Sequence, residues 1–212
     1  MQKVRRYGIL GGTFDPPHIG HLALAQEAHA RLQLDRVWFL PAGAPPHKPG
    51  RLISAAADRA AMVQLAIAAD DRFALCTLEI ERAGPSYTVR TLELLRELWG
   101  PEVWRCLILG WDMLAYLPQW REPEGVVAAV DAVAAAPRPG SLPMSAAAPP
   151  VTATAVSGLA EKLVVLPGPL LDVSATDLRA RVESGLPVRY LVLDSVQHYI
   201  QTHDLYRPAA DS

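Results

Sequence analysis

The sequence predicts an α/β fold, doubly wound: a parallel sheet with helices on both faces. Three observations carry that reading. Short apolar runs alternate with segments of helical spacing, that spacing implies right-handed crossovers, and the first run closes on a glycine pair that leads into a helix. The 212 residues are 50% hydrophobic, enough for one sizeable core and too few for two generous domains. One domain over 1–212 is the expectation.

Residues 4–10 read as a short buried strand, punctuated by Gly11, Gly12, Pro16 and Pro17. After it Ile19, Leu22, Ala23, Ala25, Gln26 and Leu32 keep helical spacing. Residues 36–40 form a second apolar run, rich in aromatic and branched side chains. The four prolines within 41–49 then forbid regular structure and predict a mobile loop. Asp58 is placed to cap a helix through Ala69, 73–80 reads as strand, Ser86 is placed to cap a helix through Leu98, and 103–109 reads as strand. An Ala/Pro-rich stretch at about 137–157 lacks periodicity and is expected to be a flexible excursion, with one strand before it. Residues 162–166 restore a strand, 174–183 a helix closed by Gly185, and 194–202 a last helix.

Charge and apolar runs exclude several classes. A formal net charge of -2 offers nothing to a long nucleic-acid backbone or an anionic membrane surface, while small anions stay open as ligands. The apolar stretch after the basic first residues breaks at Gly11, Gly12 and Asp15, too early for a signal peptide. The run over 125–136 is interrupted by Asp131 and falls short of the roughly 20 residues a membrane span needs. A cytoplasmic protein is expected. Cys76 and Cys106, each flanked by apolar residues, read as buried free thiols.

The strongest chemical signal is the string from Gly11 to His21, GGTFDPPHIGH, at the first strand-to-helix turn. At the carboxyl end of a parallel strand, free backbone N–H groups and the helix dipole favour an anion, and phosphate is the natural occupant. Gly11 and Gly12 let the backbone approach a ligand, and His18 and His21, three apart, project from one side of the opening helical turn. Metal ligation by the histidine pair lacks a third ligand at recognisable spacing, Asp15 apart.

This string resembles the nucleotidylyltransferase superfamily with its T/H-x-G-H turn, and within it the bacterial nicotinate-nucleotide adenylyltransferases. Later segments carry the same resemblance: PPHK at 45–48, GPSYT at 84–88, GWD at 110–112 running to Trp120, VSATDLR at 173–179, and RYLV at 189–192 with Val196, Tyr199 and Ile200. Three departures stand out. Ala175 replaces a usual serine, which removes about one hydrogen bond, roughly 1 kcal/mol. Arg90 sits where an acid is common, and 132–154 is unusually bland.

The resemblance implies a Rossmann-like fold and attack by the phosphate of nicotinate mononucleotide on the α-phosphorus of ATP, giving deamido-NAD and pyrophosphate. It implies His18, His21 and Arg179 as catalytic, with Gly11, Gly12, Thr13, Phe14, Asp112, Ser174 and Thr176 binding ATP. Lys48, Ser86, Tyr87, Thr88 and Trp120 would take nicotinate mononucleotide, and magnesium would arrive on ATP without assigned protein ligands. Plainer roles stand beside these. Arg179 could pair with Glu183, Ser174, Thr176 and Asp112 could cap helices, Trp111 and Trp120 could be core, and Lys48 could be a solvated lysine. Competing functions are transfer to nicotinamide mononucleotide or phosphopantetheine, an aminoacyl-tRNA synthetase core suggested by His-Ile-Gly-His, and a nucleotide-binding module without turnover. The chain is too short, not basic enough for tRNA and without a KMSKS-like loop for the synthetase.

Overall fold

A computed structural model of the chain describes residues 4–44, 53–137, 155–168 and 171–207. The expected 41–49 loop, including Lys48, lies largely outside those residues, as does most of the 137–157 excursion. Six strands form one parallel sheet: β1 (Arg6–Gly12), β2 (Arg36–Pro41), β3 (Phe73–Leu75), β4 (Trp104–Gly110), β5 (Ala132–Ala136) and β6 (Leu163–Val165). Their order is β3-β2-β1-β4-β5-β6. The crossovers and ends carry α1 (Ile19–Leu32), α2 (Ala56–Ile67), α3 (Leu78–Glu81), α4 (Thr88–Trp99), α5 (Trp111–Tyr116), α6 (Pro123–Ala128), α7 (Leu159–Lys162), α8 (Ala175–Glu183) and α9 (Asp194–Thr202).

Burial on both faces follows from strand periodicity. Along β1, Leu10 joins one apolar cluster, with Ala25 and Ala28 of α1, Met62 and Val63 of α2 and Val196 of α9; its neighbour Ile9 joins the other, with Leu92 and Leu95 of α4 and Val126 of α6. β4 repeats the pattern, sending Cys106 and Ile108 one way and Leu107 and Leu109 the other. Ile9 pairs with Trp38 of β2 on one side and Leu107 of β4 on the other. Strand order therefore reverses at β1 and β4, which is where an open α/β sheet leaves a crevice outside its strand ends.

Several boundaries differ from the sequence expectation, each for a local reason. Gly11 and Gly12 belong to β1, pairing with Leu40 and Pro41. The turn is instead made at Phe14, in the left-handed region at φ 52°, and at Asp15–Pro16, whose peptide is cis. The strand expected over 73–80 ends at Leu75, because the Thr77 hydroxyl bonds Glu81 at 2.6 Å while the Ile80 and Glu81 N–H groups return to the Thr77 carbonyl, making α3. Neither Asp58 nor Ser86 caps a helix: the N-caps are Ala55 and Tyr87. Asp58 accepts from the Tyr199 hydroxyl at 2.9 Å. Ser174 caps α8 as expected, accepting from the Asp177 N–H at 3.1 Å. Cys76 and Cys106 are free thiols, half-buried and buried, and burial pushes the Cys106 thiol up to about 12. Among the described residues no helix is long and apolar enough to cross a membrane.

Candidate active site

A cavity of about 580 Å³ opens at the carboxyl ends of β1 and β4. Its walls include Gly11, Gly12, Thr13, Phe14, His18 and His21 from the first turn, Ser86, Tyr87 and Thr88 from the start of α4, Asp112 and Trp120 from the segment after β4, and Ser174, Thr176 and Arg179 from α8. Every described candidate from the sequence thus faces one space, although 168 residues separate Gly11 from Arg179 in the chain.

The first turn is tightly set. His18 is the N-cap of α1, and its backbone N–H donates to His21 Nδ1 at 3.2 Å. Accepting at Nδ1 leaves the neutral ring's proton on Nε2, so His21 keeps an N–H donor on its far edge. The two imidazoles stack at 3.7 Å, and Phe14 meets His21 edge-on at 4.8 Å. Glycine is required between the histidines: a Cβ on Gly20 would sit 2.9 Å from Val173 and 3.0 Å from the His18 ring. The close approach of Gly20 to Val173 brings the start of α1 against the segment entering α8.

Arg179 does not turn to Glu183. Its Nη1 donates to the Asp15 carbonyl at 2.6 Å and lies 4.0 Å from Asp15 Oδ2, while Nη2 reaches the Thr176 hydroxyl at 3.4 Å. The Ser174 hydroxyl both accepts from the Asp177 N–H and donates to its carboxylate. Asp112 is the second residue of α5, whose N-cap is Gly110, so the capping alternative fails for it. Trp120 lines the cavity and also packs on the second core cluster, whereas Trp111 only packs.

Four residues absent from the sequence candidates also shape the site. Arg59 of α2, 1% exposed, donates to the carbonyls of Ser54 at 3.0 Å, Thr13 at 2.8 Å and Gly43 at 3.2 Å. Burial lowers its pKa and Asp15 opposes that shift. Tyr206 donates to Asp15 Oδ1 at 2.6 Å, and burial pushes its phenol up. Glu79, 6% exposed and on the cavity wall, accepts from the Thr91 hydroxyl at 2.7 Å, and burial raises its pKa. Arg121, beside Trp120, stacks its guanidinium 4.7 Å from the Tyr87 ring. Ser86 holds the loop after β2, its oxygen accepting from the Gly43 N–H at 3.0 Å and the Ala44 N–H at 3.3 Å.

Comparison with known proteins identifies the family. The cytidylyltransferase-like family model matches residues 9–181. The chain belongs to that family. It is 46% identical over 200 residues to the probable nicotinate-nucleotide adenylyltransferase of Roseiflexus sp. (strain RS-1), covering 94% of this chain and 97% of the relative. To the protein of the same name from Synechococcus sp. (strain JA-3-3Ab) it is 43% identical, covering 95% of each. At that similarity over nearly whole chains, it sits in the nicotinate-nucleotide adenylyltransferase branch of the family. The solved Plasmodium falciparum nicotinic acid mononucleotide adenylyltransferase complexed with NaAD shares the fold, with a TM-score of 0.75 at 18% identity, covering 95% of this chain and 97% of that one.

Proposed function

We propose that this chain transfers the adenylyl group of ATP to nicotinate mononucleotide, giving deamido-NAD and pyrophosphate, within a single domain in the cytoplasm. The observation that carries the reading is one cavity bordered by both sets of residues: His18, His21 and Arg179 on one side, Ser86 to Thr88 and Trp120 on the other.

The acceptor phosphate is largely a dianion near neutral pH, so no side chain has to remove a proton. One of its oxygens forms the new bond to the α-phosphorus as the bridge to the β-phosphate breaks, and pyrophosphate departs with that electron pair. What remains for the protein is alignment and charge. His21, donating from Nε2, is suited to an α-phosphate oxygen in the transition state, with His18 stacked beneath it. Gly11 to Phe14 supply backbone to the phosphate chain, and Arg179 with Thr176 and Ser174 receives the departing pyrophosphate. Asp112 would accept from a ribose hydroxyl. The first turn of α4, at Tyr87 and Thr88, favours the nicotinate carboxylate, and Trp120 offers an indole face to the pyridine ring. Lys48 would add charge from the loop outside the described residues.

Among the described residues, no three His, Cys, Asp or Glu side chains cluster. Asp15, the carboxylate of the first turn, is already taken by Tyr206 and by the Ser54 N–H. This donor set suits magnesium held by the nucleotide's own phosphate oxygens, where the ion would offset charge on the phosphoryl group.

An acceptor panel tests the proposal. With ATP and magnesium, pyrophosphate release should be fastest with nicotinate mononucleotide, slower with nicotinamide mononucleotide and absent with phosphopantetheine. Faster turnover with either alternative overturns the acceptor assignment.

A further inference from the structure

Tyr206 lies outside the 9–181 span of the family match, in the turn after α9, with its backbone in the left-handed region at φ 63°. Its phenol nonetheless reaches the first turn of the site, 191 residues earlier, and donates to Asp15 Oδ1 at 2.6 Å. Asp15 is 2% exposed. Its second oxygen takes the Ser54 N–H at 3.3 Å and stands 4.0 Å from Arg179 Nη1.

A buried carboxylate with two guanidinium groups nearby is pulled toward both. Arg59 is already committed to three carbonyls. Arg179 is not so enclosed: it lines the cavity and makes its short bond to the Asp15 carbonyl, leaving the carboxylate at the longer distance. The donor that satisfies Oδ1 is the Tyr206 hydroxyl. We infer that Tyr206 is a positioning residue: by occupying Asp15 Oδ1 it keeps the Arg179 guanidinium turned to the cavity instead of collapsed onto the carboxylate.

The inference rests on the adenylyl-transfer reading and deepens it, because it concerns the cation that would meet the departing pyrophosphate. Without the hydroxyl, Asp15 is a buried acceptor short of a donor, and a closer ion pair with Arg179 is the nearest remedy. The guanidinium would then face inward, and the phosphates would lose it.

The fold supplies a matched control. Tyr199 also donates its hydroxyl to a carboxylate, Asp58 Oδ1 at 2.9 Å, and so also ties the carboxyl-terminal segment to α2. Asp58 does not border the cavity. Tyr206→Phe and Tyr199→Phe therefore each remove a hydroxyl-to-carboxylate bond, with only the first reaching the site.

The test uses the full chain, steady-state kinetics with ATP, magnesium and nicotinate mononucleotide, and calorimetric titration with pyrophosphate alone. Tyr206→Phe should lower kcat about tenfold and weaken pyrophosphate binding by a similar factor, with KM for nicotinate mononucleotide unchanged. Tyr199→Phe should leave all three unchanged, while both variants lower Tm modestly. In an Arg179→Ala background, Tyr206→Phe should add nothing further to the loss of pyrophosphate binding. Equal behaviour of the two tyrosine variants, or additive effects with Arg179→Ala, overturns the inference. Should the wild type make no dinucleotide, the adenylyl-transfer reading falls, and the pyrophosphate titrations still decide the role of Tyr206.

Discussion

The two walls of the cavity are built by different physics. Around the first turn, buried charges are interlocked: Asp15, Arg59 and Arg179 share carbonyls, a phenol and an amide, and the stacked histidines sit on a capped helix start. The wall formed by Ser86, Tyr87, Thr88 and Trp120 has hydroxyls, aromatic faces, one buried acid, Glu79, held by the Thr91 hydroxyl, and one cation, the exposed Arg121 lying over the Tyr87 ring. The difference teaches which wall is built for charge. A polyphosphate needs cations and N–H donors fixed before it arrives, whereas a flat heteroaromatic needs a surface and a few oriented polar groups.

The sharpest way to break the contrast is to remove the buried cation. Arg59→Met keeps most of the side-chain volume but leaves Asp15 without its enclosed counter-charge and three carbonyls without their donor. A destabilisation of about 3–5 kcal/mol is expected in urea unfolding, because three carbonyls lose a charged donor and the buried carboxylate loses one of its two nearby cations. A loss no larger than that of an ordinary surface substitution would show that Arg59 does not carry the first wall.

His21→Ala comes next and acts on chemistry more than on folding. Removing a donor that strengthens in the transition state should lower kcat by at least about a hundredfold, while the lost N-cap contact costs about 1 kcal/mol of stability. Activity near that of the wild type in this variant would remove His21 from the reaction.

How far the two walls were legible in the sequence follows from chain distance. The first turn was readable because glycines, histidines and the helix start lie within eleven consecutive residues, and the sheet because apolar runs alternate with helical spacing. Arg59 left a fainter mark. It falls on the same helical stripe as the buried Met62, Val63 and Ala66, so a charge occupies a core-facing position, which in retrospect signals a buried partner. Tyr206 left none, since its partner is 191 residues away. Ser86 reads as a helix-start serine, but its oxygen is engaged by Gly43 and Ala44, a contact that only the packing of the loop after β2 against α4 creates. Lys48 lies outside the described residues.

The second wall yields the smallest effect and the one with a pH signature. Glu79 accepts from Thr91, and burial raises its carboxyl above the ordinary value of 4.5. The folded state therefore holds this proton more tightly than the unfolded chain does. Stability from the neutral carboxyl is fully present below pH 4.5 and is lost as pH rises through the folded value, where a buried charge must be carried instead. Glu79→Gln has no such charge at any pH, so the wild type's Tm relative to the variant should fall steadily from pH 4.5 toward neutrality. A relative Tm that rises over the same interval would mean that Ser86, Thr91 and Arg82 together stabilise the ionised form more than burial penalises it. The acceptor wall would then be a second charged wall, and the contrast with the first turn would disappear.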